Sequence, residues 1–259
     1  MIAEFSYQIL LLLFFAAVFA GFIDTLAGGG GLITLPTLIL AGIPPISALG
    51  TNKLQSSMGT ATSSLLMLRK RKVTWDEVKP LMLTAFIGSC LGTAAIQFVD
   101  SQALSFIIPA ALLVIAIYFL FSPTPTQDKQ TPQVSQSTFK NAIVPSVGFY
   151  DGFFGPGTGS FFALAGVTAN GKGLIKATAM AKPLNFATNI ASLAIFIVLG
   201  KVVWVAGLLM ITGQVLGAWV GSHFLLKTKP IYIRGLIVLI CSAMLIRYSV
   251  DQGWLSGWK

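Results

Sequence analysis

The chain has 259 residues, 55% of them hydrophobic and 10% charged, with a formal net charge of +9. A soluble domain carries about 25% charged residues, and the mean hydropathy here is +0.82, so lipid must be the main solvent and the sequence reads as an all-α polytopic membrane protein. The basic residues sit mostly in short connections between apolar runs, as membrane orientation requires, and no basic aromatic face is visible, which argues against nucleic acid as a partner.

The first apolar run covers about 5–23. It lacks the basic start of a signal peptide (Glu4 is its only early charge) and leads straight into a motif, so it is read as part of the mature protein. The motif is GFIDTLAGGGG, from Gly21 to Gly31. A short apolar run, 32–41, follows it. At ~1.5 Å rise per residue such a run reaches only about half way across a core of ~30 Å. It is therefore expected to be a broken or re-entrant half-helix, buried in protein or lining a cavity. The next run, 47–68, carries Lys53 in TNKLQSS. After the basic stretch Arg69 to Lys72 come runs at 78–98 and 103–121, and then SPTPTQDKQTPQVSQSTF, a polar, Pro-rich linker at 122–139.

A second set follows at about 140–154, 160–170, 174–199, 203–225 and 231–250. It copies the first. GFYDGFFGPGTG pairs Gly148 with Gly21, Phe149 with Phe22, Asp151 with Asp24, Gly155 with Gly28 and Gly157 with Gly30. Beyond two extra residues, Lys182 pairs with Lys53, Lys201 with Lys72, Trp204 with Trp75, Gly217 with Gly88 and Gly221 with Gly92. Chance likeness of apolar text would not align rare Asp, Lys and Trp in order, and internal repeats are typical of secondary transporters. The division is thus an N-terminal repeat (1–121), a linker (122–139) and a C-terminal repeat (140–259). With Arg69 to Lys72 inside, inverted copies place more Lys and Arg inside than parallel copies do. Inverted repeats are the expectation, and the count of eight or ten crossings stays open.

Each Gly-rich turn stands at the start of a short helix, where free N–H groups and a partial positive charge attract anions. Gly28, Gly29, Gly30 and Gly31 in one copy, and Gly155, Gly157, Thr158 and Gly159 in the other, are candidate substrate-binding residues. Alternatively the glycines only permit close packing. Lys53 and Lys182 lie about six residues into long apolar runs, where a Lys costs roughly 2.5 kcal/mol or more and marks function, unless it snorkels to the interface. Thr51, Asn52, Gln55, Ser56, Asn185 and Asn189 are candidate further donors, or else interhelical hydrogen-bonding groups. Asp24 and Asp151 can pair with the lysines, cap backbone or carry a proton; pairing ranks first. Gly88, Gly92, Gly217 and Gly221 are read as helix-packing positions, and Trp75 and Trp204 as interface residues.

Cys90 and Cys241 lie singly in apolar runs and His223 has no ligand-type neighbour, so no metal or cofactor is expected. No GxxxxGK[ST] loop, HExxH pair or Ser–His arrangement suggests an enzyme. The reading is a secondary transporter of a small anion working by alternating access and driven by the membrane potential or a proton gradient, with a passive anion channel as the alternative. Its partners are the anion and the bilayer; a homodimer is compatible with this.

The stretches GFIDTLAGGGGLITLP, GIPPISALGTNKLQ, GFYDGFFGPGTGSF and KATAMAKPLN resemble the sulfite exporter TauE/SafE family, also called the 4-toluene sulfonate uptake permease family. The resemblance is nearest to its bacterial branch of membrane transporters and covers nearly the whole chain. It implies a multi-pass protein of the bacterial inner membrane, usually with about eight crossings, that moves sulfite, sulfonates or related organosulfur anions.

Overall fold

The computed structural model describes residues 5–121, 131–224 and 250, and all of its described secondary structure is helical. The expected run at 231–250, with Cys241, lies outside the described residues apart from Val250. The first half holds α1 (Tyr7–Ala27), α2 (Gly31–Leu40), α3 (Pro45–Arg69), α4 (Trp75–Ile96) and α5 (Ser101–Phe121). In the second half α6 (Gln136–Thr138), a π-helical turn (Phe139–Ile143) and α7 (Val144–Phe153) run end to end. They lead to α8 (Thr158–Thr168), α9 (Leu174–Val198) and α10 (Trp204–Phe224). Helix therefore begins at Gln136, inside the stretch read as linker. The Ser135 hydroxyl accepts the Thr138 N–H at 3.1 Å, a side-chain N-cap, and Phe139 is buried.

Among the described residues four helices, α1, α4, α9 and α10, are long and apolar enough to cross a bilayer. α3 is as long as α9 but carries the buried polar series Thr51, Asn52, Lys53, Gln55, Ser56, Ser57, Thr60, Ser63 and Ser64. Such a helix is tolerated at membrane depth only when other helices enclose it, and α3 packs against α9, α10 and α1. Several of its hydroxyls (Ser57, Thr60) donate back to carbonyls of the preceding turn. α2 and α8, of 10 and 11 residues, are the two half-helices expected after the Gly turns.

The halves exchange faces. α1 packs along α10, and α4 along α7. At the first contact a Cβ on Gly217 would meet the Val18 carbonyl oxygen at 1.9 Å, and one on Gly221 the Phe22 oxygen at 2.8 Å. At the second, the same test puts Gly88 on the Pro145 oxygen at 2.1 Å and Gly92 on the Phe149 oxygen at 2.0 Å. These are positions that the sequence alignment of the two halves pairs, Gly88 with Gly217 and Gly92 with Gly221. Glycine at all four lets backbone lie on backbone, the small-residue packing that holds helices together where lipid is as apolar as leucine. The contacts advance in step along both chains, so α1 runs in the same direction as α10, and α4 as α7.

Candidate functional site

The two Gly turns meet. α1 ends at Gly28, whose left-handed φ of 76° sends its N–H back to the Asp24 carbonyl at 2.7 Å. A Cβ on Gly28 would stand 2.3 Å from Ser160 N and 2.4 Å from the Gly159 carbonyl carbon, and one on Gly31 would stand 3.1 Å from Pro156 Cα. In the other turn Gly155 and Gly157 take φ of 100° and 84°, and Gly157 caps the start of α8. The Ser160 hydroxyl donates to the Ala27 carbonyl and ties the turns together. The starts of the two half-helices are thereby brought to one junction.

Both lysines reach across that junction. Lys53 is 1% exposed and Lys182 0%, so neither snorkels. Lys53 Nζ donates to the Asp151 carbonyl at 2.6 Å and forms an ion pair with Asp151 Oδ1 at 2.9 Å. Lys182 Nζ donates to the Asp24 carbonyl. The Asp–Lys pairing expected from sequence thus takes the form of exchange: each lysine holds the aspartate backbone of the opposite half. Only one carboxylate joins in, because the Asp24 carboxylate instead accepts the Gly30 N–H at 3.2 Å. The Asp151 Oδ1 atom also accepts the Thr158 hydroxyl at 2.7 Å.

The polar residues around the lysines divide by role. The Asn52 Oδ1 atom accepts from Thr34 at 2.5 Å and from Gln55 Nε2 at 2.8 Å. This holds the Asn52 amide with its NH2 toward the turns, 3.5 Å from where a Gly31 Cβ would be. Asn185 Oδ1 accepts from Asn189 at 3.3 Å, and its NH2 faces the place a Gly159 Cβ would take, at 3.4 Å. A small cavity of about 10 Å³ lies between these groups, lined by Asp24, Gly28, Gly31, Asn52, Lys53, Ser56, Asp151, Gly155, Gly157, Thr158, Asn185 and Asn189. That is room for about one water. Two larger grooves, of about 500 and 480 Å³, are lined almost wholly by apolar groups and leave the buried lysines and aspartates aside. Chemistry favours the small polar cavity over the large apolar ones.

Most of the residues singled out in the sequence therefore converge. Six stand apart from the cavity wall. Gly29, Gly30 and Gly159 lie within the turns, and Lys182 is turned to the Asp24 carbonyl. Gln55 braces Asn52, and Thr51 accepts the Val203 N–H at 2.9 Å just before α10. Thr34 and Tyr150 were invisible as site-building residues. Thr34 fixes Asn52, and the Tyr150 hydroxyl donates to the Pro156 carbonyl at 2.5 Å, bracing the second turn. Ser56 of the cavity wall corresponds in the repeat to Asn185, which is the signal that marks it as more than a neighbour of Lys53.

Helices long and apolar enough to cross a bilayer, packed around a buried, charged and polar centre, define a multi-pass membrane protein. The match to the family described as sulfite exporter TauE/SafE covers residues 13–248, and the chain belongs to that family. It is 41% identical over 251 residues to a "Probable membrane transporter protein" of Haemophilus influenzae, spanning 97% of this chain and 98% of that one. It is 43% identical over 248 residues to a "Probable membrane transporter protein ORF9" of Sinorhizobium sp, spanning 96% and 95%. To the "Probable membrane transporter protein YfcA" of Escherichia coli K12 it is 42% identical over 240 residues, spanning 93% and 89%. No solved structure matches it. The protein is a membrane transporter of the bacterial inner-membrane type.

Proposed function

We propose that the protein is a secondary transporter of a small anion of the sulfur oxyanion or organosulfonate class, and that the anion binds at the junction of the two Gly turns. The observation that carries this reading is the meeting of both half-helix starts, Lys53 and the Asn52 and Asn185 amides around one buried cavity. Free backbone N–H groups, amide NH2 groups and an ammonium are the donors that a tetrahedral or pyramidal oxyanion needs when it leaves water. The family's name supports the sulfur class. The two halves act as inverted copies, and rocking one against the other opens the junction to each side in turn.

The cavity now has room for about one water, less than any sulfur oxyanion occupies. The structure is accordingly read as a closed form in which Asp151 holds Lys53 in the anion's place. A closed centre favours a carrier over an open pore. The test is counterflow in proteoliposomes loaded with unlabelled sulfite, thiosulfate or methanesulfonate. Transient accumulation of the labelled anion, saturating with concentration, is the expected result. No flux for any of these anions would overturn the reading, and single-channel currents would replace it with the pore.

A further inference from the structure

Among the described residues the buried charges are Asp24, Lys53, Asp151 and Lys182, two of each sign. Counted as formal charges these four cancel, and a net charge there would be costly. An anion that takes Lys53 Nζ must displace Asp151 Oδ1, which leaves a carboxylate without its cation inside a closed site. The other oxygen, Asp151 Oδ2, is fully buried and has no hydrogen-bond partner among the described residues. By contrast Oδ1 is held twice, by Lys53 and by Thr158. A buried carboxylate oxygen without a donor gains most from a proton.

We propose that Asp151 Oδ2 is a proton-binding site and that each monovalent anion crosses together with one proton, without net movement of charge. This inference rests on the anion-transport reading above. The balance is simple. A proton enters from the open side and forms the Oδ2–H bond. The contact between Lys53 Nζ and Asp151 Oδ1 breaks, Lys53 stays protonated, and its ammonium turns to an anion oxygen. Four buried charges plus one anion plus one proton again sum to zero. On the far side anion and proton leave, and Asp151 takes Lys53 back.

The surroundings single out this carboxylate. From α3 it faces Lys53; Asp24 of α1 lines the same cavity, and Lys182 of α9 lies on the Asp24 carbonyl. α8 has no charged residue, and α4 has none beyond Asp76, Glu77 and Lys79 in its first turns. On its own helix, Tyr150 is turned to the Pro156 carbonyl. Asp24 differs in geometry: its carboxylate accepts the Gly30 N–H within its own turn, and neither of its oxygens is among the buried atoms left without a partner.

The test uses the purified full chain in proteoliposomes with a pH dye inside and the membrane potential clamped. The probe is methanesulfonate, a strong acid anion that carries no proton of its own. Inward flux should acidify the lumen by one proton per anion. An imposed pH gradient should drive about tenfold accumulation per pH unit, the ratio expected of a one-to-one electroneutral exchange of free energy. Asp151→Asn, which mimics the protonated carboxylate, should retain exchange of labelled methanesulfonate at a reduced rate and lose the pH signal. Anion flux without proton movement, flux that follows voltage instead of the pH gradient, or an intact pH signal in Asp151→Asn would each overturn the inference while leaving transport standing. Absence of flux for methanesulfonate, sulfite and thiosulfate alike is a different result, which removes the transport reading and this inference with it.

Discussion

The two turns of the junction perform the same manoeuvre with different parts. In the first, Gly30 and Gly31 stand where the second has Gly157 and Thr158, and the carboxylate of Asp24 folds back onto its own turn through the Gly30 N–H. In the second, Thr158 supplies a hydroxyl that holds Asp151 Oδ1 in line with Lys53. The backbone contacts are reciprocal and the side-chain contacts are not. Packing of glycine on backbone fixes the architecture in both halves alike. Among the described residues one lysine pairs with a carboxylate and the other with a backbone carbonyl. A centre built of like parts but unlike charge pairing can favour one closed state and still exchange partners during a cycle.

The comparison breaks most severely at the turn glycines. Gly28 has both a left-handed φ and backbone atoms within 2.4 Å of a would-be Cβ, so Gly28→Ala should abolish monodisperse protein in size-exclusion chromatography. At Gly155 the nearest atom is Lys53 Nζ at 3.0 Å, the end of a flexible chain. Gly155→Ala should therefore fold, losing about 1–2 kcal/mol to its φ. Equal behaviour of the two variants would remove the distinction between the turns.

The lysines come next. Lys53→Met strands the buried Asp151 carboxylate, and breaking such a pair costs about 3–5 kcal/mol. Lys182 makes no ion pair among the described residues, so Lys182→Met should lower the thermal unfolding midpoint distinctly less. Adding Asp151→Asn to Lys53→Met should recover much of the loss. An unpaired Asp151 that cost nothing would show that the pair is not closed in the resting protein. Thr158→Val removes the hydroxyl placed 2.7 Å from both Asp151 Oδ1 and the Gly155 carbonyl, a loss of about 1.5–3 kcal/mol. The smallest effect belongs to the exposed ion pair of Glu77 and Lys176, at 2.7 Å with side chains 40% and 36% exposed. Glu77→Gln should shift stability by less than about 1 kcal/mol, and less still at high salt.

Much of this was legible in the sequence because membranes punish exceptions. Lysine and aspartate inside apolar runs, glycine runs before segments too short to cross, and their recurrence in order mark the half-helices and the charged centre. What the sequence left open depended on contacts between halves. Lys53 could reach Asp24 of its own half or Asp151 of the other, and only the crossing of α4 with α7 and α1 with α10 decides between them. Thr51 had the right chemistry for a donor, yet its neighbour across the interface is the Val203 N–H. Thr34 and Tyr150 have no local pattern at all, since their function is to hold a neighbour still. Helix also begins at Gln136, inside the polar stretch, because a Ser135 cap and a buried Phe139 extend it into polar text.

Where the anion sits decides the mechanism, and selenium allows that to be seen. Selenite, the heavier analogue of sulfite, scatters X-rays anomalously, so crystals of the protein grown with it report the anion's position directly. One anomalous peak between the two glycine turns, within hydrogen-bonding reach of Lys53 Nζ and with Asp151 drawn off that lysine, is the predicted result. A peak remote from the turns, or bound selenite with the Lys53–Asp151 pair still closed, would contradict it.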